Sequence, residues 1–305
     1  MSEPVREELE FLIEILERHP LDSLKKIAEE EGIDYYRLKR LYDRYYGKYL
    51  TVNAFISIRR LGLRSYVAFL SVPPEKLLDI GIRMTQNPFT GYINPAYGFK
   101  NGFSAIIYVP DDQKDLIDDF LSMYTDDYEY YEGRAYPYDG NDEFGEWNLS
   151  YDYAILLDML KWDARTPITE IARRLGKSRP TVRYMINRLQ EEGILVGFIP
   201  TVHMNVHDRS VLGLTRKLDE EVLQKFKDYE IRIGVLLGYG YLLEWFFSSK
   251  EDLGSKVLEF SSYVEKLLIQ YFDDTFTELN NKNGKTRFQR MVKKDGSGYR
   301  SILEF

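Results

Sequence analysis

A chain of 305 residues, 44% hydrophobic and 30% charged, has room for two to four small domains with sizeable cores. It has no cysteine, which excludes disulfides and Cys-based zinc sites. Its start, MSEPVREELE, lacks a cationic-apolar signal pattern and no apolar run approaches a membrane span, so a soluble cytoplasmic protein is expected. The net charge of −8 argues against a nucleic-acid partner only until it is mapped: residues 111–146 hold thirteen acids and two bases, which leaves +3 for the remainder.

Residues 1–50 read as three short helices. In the third, DYYRLKRLYDRYYG, Leu38, Leu41 and Tyr45 share one face, while Tyr36, Lys39, Arg40 and Asp43 share the other. Residues 51–135 follow in the order βαββαβ. Tyr66–Val72 is a strand, Pro74–Thr85 a helix, Phe89–Phe99 an irregular strand, Asn101-Gly102 a tight turn, Phe103–Val109 a strand, Gln113–Tyr124 a helix and Tyr128–Glu132 a strand. Residues 136–150, rich in turn formers and acids, form the predicted linker.

Residues 151–200 carry the sharpest pattern. Leu156, Leu157 and Leu160 make an apolar face on a first helix. Thr166-Pro167 reads as a helix start, with Thr as N-cap and Pro at the first helical position, and Ile168, Ile171, Ala172 and Leu175 face inward up to the stop at Gly176. Ser178 caps a third helix in which Val182, Met185, Ile186 and Leu189 are buried; Gly193 ends it and Ile194–Ile199 continues as a β-wing. Residues 201–280 repeat βαββαβ, with strands at Ser210–Arg216, Ile231–Leu237, Tyr241–Ser248 and Leu268–Phe276. Residues 281–305 form a basic tail, read as an added strand, a phosphate contact or a disordered end.

A shift of 144 residues lays Leu12 on Leu156, Leu16 on Leu160, Ile27-Ala28 on Ile171-Ala172 and Gly32 on Gly176. It also lays Asp22 on Thr166 and Asp34 on Ser178, so the capping chemistry is kept while the letters change. Residues 1–50 are thus a second, degenerate helix-turn-helix. The expected architecture is α+β: two winged helix-turn-helix domains alternating with two ferredoxin-like βαββαβ domains.

The outer face of the helix after Ser178 presents Arg179, Arg183, Tyr184, Asn187 and Arg188; from Arg173 to Arg188 there are six Lys/Arg and no acid. A solvated basic face on a helical bundle is the plain alternative. Such a helix fits the major groove, where phosphates attract its charge and base edges accept bidentate Arg. Ser178, Arg179, Thr181, Arg183, Tyr184, Asn187 and Arg188 are therefore the candidate DNA contacts. Lys39 and Arg40 are the weaker counterparts, because Asp43 replaces Asn187 and Tyr35 replaces Arg179.

Asp163-Ala164-Arg165, Ile171-Ala172-Arg173-Arg174-Leu175-Gly176-Lys177-Ser178, Val182, Arg188-Leu189 and Gly193-Ile194 resemble the DNA-binding domain of the Lrp/AsnC transcription regulators. The resemblance implies a sequence-specific regulator of double-stranded DNA with RAM-type effector domains, paired within the chain or across two chains, and a homodimer. It also implies a small-molecule effector at a Gly-x-x-Asp turn, for which Gly98-Phe99-Lys100-Asn101 and Gly238-Tyr239-Gly240-Tyr241 are the candidates; neither has the Asp. Gly98, Asn101, Gly238 and Tyr241 are thus weak effector positions, and the aromatic residues around them are expected to be core.

Siroheme decarboxylases resemble the same architecture, yet are enzymes that bind a tetrapyrrole through His and Arg. Arg59-Arg60-Leu61-Gly62 and Val72-Pro73 are faintly similar to them, but the chain holds only three His. A non-specific architectural DNA binder is the third reading. His203 and His207, four apart, would suit zinc only on a helix, and no third ligand is evident. No catalytic residue, metal site or cofactor is expected.

Overall fold

The computed structural model describes residues 3–140, 143–202, 208–226, 231–247, 253–295 and 298–305. From the amino end come α1 (Glu3–Arg18), α2 (Leu24–Glu30), α3 (Tyr35–Tyr45) and β1 (Leu50–Ile56). Next are β2 (Leu63–Ser71), α4 (Leu77–Gln86), β3 (Thr90–Gly98), β4 (Gly102–Pro110), α5 (Ile117–Ser122) and β5 (Tyr128–Ala135). They lead to α6 (Tyr151–Trp162), α7 (Ile168–Leu175), α8 (Arg179–Glu191) and β6 (Leu195–Val202). The remainder is β7 (Arg209–Thr215), α9 (Glu220–Phe226), β8 (Ile231–Leu236), β9 (Gly240–Phe247), α10 (Leu253–Ser261), β10 (Lys266–Tyr271), α11 (Asp274–Gly284) and α12 (Arg287–Met291). Among the described residues no helix is long and apolar enough to cross a membrane.

The chain divides into two compact units. One comprises Met1–Ser57, Leu149–Met204 and Lys294–Gly296; the other comprises Ile58–Asn148, Asn205–Lys293 and Ser297–Phe305. The first unit contains both helical triads. In α1, Leu9, Leu12 and Leu16 recur three to four apart, join Ile15 in one stripe, and bury against Ile27, Leu38, Leu41 and Tyr45. The second triad buries Leu156, Leu157, Leu160, Ile171, Leu175, Val182, Met185 and Leu189 in the same way. Ile186 is only partly covered.

Two helix starts differ from expectation. Thr166 does not cap α7: its hydroxyl donates to the Asp163 carbonyl at 2.7 Å, and the N-cap position falls to Pro167. Likewise Ser23, not Asp22, caps α2 by accepting from the Lys26 amide at 3.3 Å. The third helices are capped as expected, by Asp34 on α3 and Ser178 on α8. Gly176 takes φ +63° and Gly32 φ +65°, the left-handed turn that a side chain would strain.

The strand expected as a wing after α8 pairs with a strand from the other triad. β6 runs antiparallel to β1, from Leu50 opposite Val202 to Phe55 opposite Gly197. Residues 51–56, which the pattern attached to the following βαββαβ segment, thus join the helical unit. Leu50 and Val52 enter its core because alternate residues of a strand face one side.

The second unit is an eight-stranded closed barrel in the order β10-β3-β4-β2-β5-β8-β9-β7. It contains two βαββαβ runs with equivalent strand orders, β3-β4-β2-β5 and β8-β9-β7-β10. The fourth strand of each run pairs with the second strand of the other. Gly133 faces Leu236 across β5–β8, and Leu268 faces Gly98 across β10–β3. Phe69, Ala96, Leu212, Leu214, Leu236 and Leu268 form one apolar cluster drawn from both runs. A second, beneath α9 and α10, holds Val211, Leu243, Trp245, Phe247 and Phe260.

Among the described residues of 281–305 there is neither a strand added to the barrel nor a loose basic end. The strand predicted to reach Phe276 stops at Tyr271, because Asp273 accepts from the amides of Thr275 (2.9 Å) and Phe276 (3.3 Å) and starts α11. Asn280 then exchanges two hydrogen bonds with the Ile93 backbone, at 2.8 and 3.1 Å. Arg287 is buried and donates to the Gly91 carbonyl, and Arg290 donates to Asn283 at 3.0 Å. These arginines are consumed inside the fold.

Candidate nucleic-acid interface

The geometry of α8 follows from its two-sided sequence. Val182, Met185 and Leu189 anchor one side in the core, so Arg179, Thr181, Arg183, Tyr184 and Asn187 are exposed on the other. Tyr184 is 64% exposed, a large aromatic face held in solvent. Ser178 accepts from the Thr181 amide at 3.3 Å, and the two hydroxyls lie 2.8 Å apart. This bond fixes the first turn of the helix.

The six bases divide by what they touch. Lys177 is paired with Asp152 at 2.9 Å. Arg188 is tied back to Glu192 at 2.7 Å and lies 5.6 Å over the Tyr153 ring. Arg173, Arg174, Arg179 and Arg183 are exposed, with no carboxylate partner among the described residues. Four unpaired guanidinium groups around one exposed helix make a strong local field for a polyanion.

On α3 the equivalent face is built differently. Lys39 is held by Asp43 at 2.5 Å and Arg44 by Glu8 at 2.7 Å; Arg40 is exposed. Glu8 also accepts from the Tyr45 hydroxyl at 2.6 Å, and that bond draws the carboxyl below its usual range. Tyr36 is 76% exposed at the start of the helix. Two of the four cations on this helix, Lys39 and Arg44, thus face carboxylates of their own triad.

Pattern reading missed the residues that join the triads. Arg165 donates to the carbonyls of His19 (3.2 Å), Pro20 (2.9 Å) and Asp22 (2.7 Å) and to the Tyr42 hydroxyl (3.2 Å). The Tyr46 hydroxyl donates to Asp163 at 2.5 Å, and burial together with this bond raises its pKa. Asn53 donates to the carbonyls of Lys161 (2.6 Å) and Trp162 (3.1 Å), and the Ala164 amide donates to the Val52 carbonyl at 2.7 Å. The available signal was divergence: the 144-residue shift sets Asp163-Ala164-Arg165 against the unlike His19-Pro20-Leu21.

Of the weak effector positions, Gly98, Asn101 and Gly238 are exposed and Tyr241 is partly covered. The Asn101 amide oxygen accepts from the Gly98 N–H at 3.2 Å, and a Cβ on Gly98 would stand 2.3 Å from the Leu267 carbonyl. Gly238 takes φ +77° in the tight β8–β9 turn, and the Tyr241 ring packs 6.3 Å from Tyr136. Between the two turns the Lys266 ammonium pairs with Glu129, 5.5 Å from the Phe99 ring and 5.6 Å from the Tyr239 ring. Trp245 is fully buried in the core under α9 and α10. Arg59 lies 5.0 Å over the Phe144 ring and Arg60 pairs with Glu143. His203 and His207 lie outside the described residues.

Comparison with known proteins agrees with this geometry. Residues 150–196 match the family model described as winged helix-turn-helix DNA-binding. The chain is 38% identical to the HTH-type transcriptional regulator LrpA of Pyrococcus horikoshii over 82 residues, which is 25% of this chain and 57% of that protein. The match therefore spans little more than half of that relative. An uncharacterized HTH-type transcriptional regulator of Pyrococcus furiosus is 32% identical over 117 residues, 34% of this chain and 77% of that protein. Among solved structures, the siroheme decarboxylase NirDL superposes with a TM-score of 0.61 at 14% identity, covering 90% of this chain and 98% of that one. At that identity the likeness concerns the fold.

Proposed function

We propose, for a chain that belongs to the Lrp-like HTH-type transcriptional regulators, that it regulates transcription by docking α8 in the major groove of double-stranded DNA. Arg179, Thr181 and Arg183 face base edges, Tyr184 and Asn187 flank them, and Ser178 sets their first turn. The single observation that carries this reading is the outer face of α8: guanidinium groups without carboxylate partners, on a helix whose other side is locked in a core. Arg188 reaches phosphate only by releasing Glu192, so its contribution is smaller.

The chain reads as a tandem fusion, a helix-turn-helix and a RAM-type domain each present twice. With both triads in one unit, α3 and α8 engage one DNA face together, their half-sites about 34 Å apart or a multiple of that. Lys39 and Arg40 supply a weaker second contact, and the unlike helices call for an asymmetric operator. Regulation by a small amino acid at Gly98–Asn101 or Gly238–Tyr241 is disfavoured, since neither turn carries the Asp that would hold an amino group. Selection of bound genomic fragments followed by footprinting at two salt concentrations tests the proposal. An asymmetric protected site that outcompetes random DNA at both concentrations supports it. Equal binding to random DNA, or a perfect palindrome, overturns the sequence-specific tandem reading.

A second reading has one observation behind it, the whole-chain likeness to a siroheme decarboxylase fold. Against it, Arg59 and Arg60 are engaged with Phe144 and Glu143. A shifted absorbance band on mixing the full chain with siroheme would favour the enzyme.

A further inference from the structure

The loop between α1 and α2 and the end of α2 bring together side chains that neither the recognition helices nor the core uses. His19 Nδ1 lies 3.1 Å from Asp22 Oδ2 and 3.4 Å from Glu30 Oε2, while His19 Nε2 lies 2.8 Å from Glu31 Oε1. The ligand atoms of His19, Asp22 and Glu30 all fall within 4.8 Å of one another.

A neutral imidazole has one N–H. With that proton on Nε2 and donated to Glu31, Nδ1 turns a lone pair toward two carboxylate oxygens. Such an arrangement is repulsive unless a cation or a second proton lies between them. Ligand bonds of about 2.0–2.2 Å separate neighbouring donors by roughly 3.0–3.5 Å. That is the spacing found on Nδ1. Glu31 on the far nitrogen is the carboxylate that fixes the tautomer and ring orientation of a metal-bound histidine.

We propose that His19, Asp22 and Glu30 form a binding site for a first-row divalent transition cation, oriented by Glu31. One imidazole and two carboxylates suit zinc, manganese, cobalt or iron(II), whereas an all-oxygen set would suit calcium. Two side chains compete for the same charge. Lys26 Nζ stands 2.8 Å from Asp22 Oδ1 and 3.7 Å from Glu30 Oε1, on the oxygens that face away from the imidazole. Arg18 is 3.1 Å from Glu31 Oε2. Lys26 is half exposed and swings into solvent without disturbing the core. The site also bears on the seam between the triads, because Arg165 holds the carbonyls of His19, Pro20 and Asp22 from the other side.

The test is titration of the full chain, stripped with chelator, with cobalt(II), read by visible d–d absorption and by thermal melting. One equivalent should bind and raise the melting temperature. His19→Gln and the exposed Glu30→Gln should abolish the spectrum, Glu31→Gln should weaken binding roughly 10–100-fold, and a His203→Gln/His207→Gln double variant should leave it unchanged. No spectrum at millimolar cobalt would mean that His19 is simply a paired imidazolium, and the proposal falls. It falls equally if the spectrum survives Glu30→Gln or vanishes only in the His203/His207 variant.

Discussion

The two helical triads share a core pattern and differ on their outer faces. Residues 1–57 contain twelve acids and nine bases, and Lys39, Arg44, Lys26 and Arg18 each face a carboxylate. Residues 149–204 contain six acids and eight bases, and the guanidinium groups around the start of α8 are left open. Identical packing therefore supports opposite surfaces. Core residues decide that a helix-turn-helix forms; the residues between them decide whether it attracts phosphate. The first triad pairs several of its cations internally and offers neutral backbone carbonyls to Arg165 of the second.

That contrast can be broken most strongly at the DNA face. Arg179→Ala with Arg183→Ala should cost about 2–6 kcal/mol of binding, at roughly 1–3 kcal/mol per well-placed Arg, and so weaken Kd thirtyfold or more. Lys39→Ala with Arg40→Ala should weaken it less than about threefold, since Lys39 is already paired. Fluorescence anisotropy on the selected operator compares the two; equal losses would erase the asymmetry between the triads.

A smaller effect is expected at the seam. Arg165→Ala removes charge-assisted bonds to three carbonyls, leaving the loop that holds them without its donor. Stability should fall by roughly 1.5–3 kcal/mol, as such bonds typically contribute, visible as a lower melting midpoint and as tolerance of altered half-site spacing. An unchanged midpoint would mean that β1–β6 pairing and the bonds of Tyr46, Asn53 and Ala164 join the triads without help from Arg165.

The smallest effect is pH dependence in chelator-treated protein. Bonds to Glu31 and Asp22 raise the His19 pKa, with Glu30 also facing the ring, Arg18 and Lys26 behind these acids, and Arg165 on the backbone of the same loop. A raised pKa means stabilisation that is complete below the ordinary histidine value near 6.5 and is lost as pH rises through the higher folded value. Thermal melting should therefore drift downward above about pH 6.5, and His19→Gln should flatten that drift.

Much of α8 was legible in sequence because its determinants are local: a capping serine, a stop at Gly193 and apolar residues three to four apart. The same logic gave the order of strands in both βαββαβ runs. Thr166 and Asp22 were misassigned as caps because each has a rival beside it, Pro167 with the Asp163 carbonyl in one case and Ser23 in the other. Long-range pairings were not legible. Nothing near Leu50 announces Val202 as its neighbour, and the divergence around Arg165 marks that segment without naming the His19–Asp22 loop as its partner. The tail misled for a related reason, since the burial of Arg287 depends on a carbonyl at Gly91 that composition does not reveal.

One polypeptide supplies all eight strands of the barrel, and this has a consequence for how the molecule changes over generations. In an assembly of identical subunits each substitution is imposed at every symmetry-related place, so a carboxylate gained on one recognition surface is gained on all. Here a substitution enters only one of the two strand runs or triads of each chain. The outer face of one triad is free to gain carboxylates while that of the other keeps its arginines.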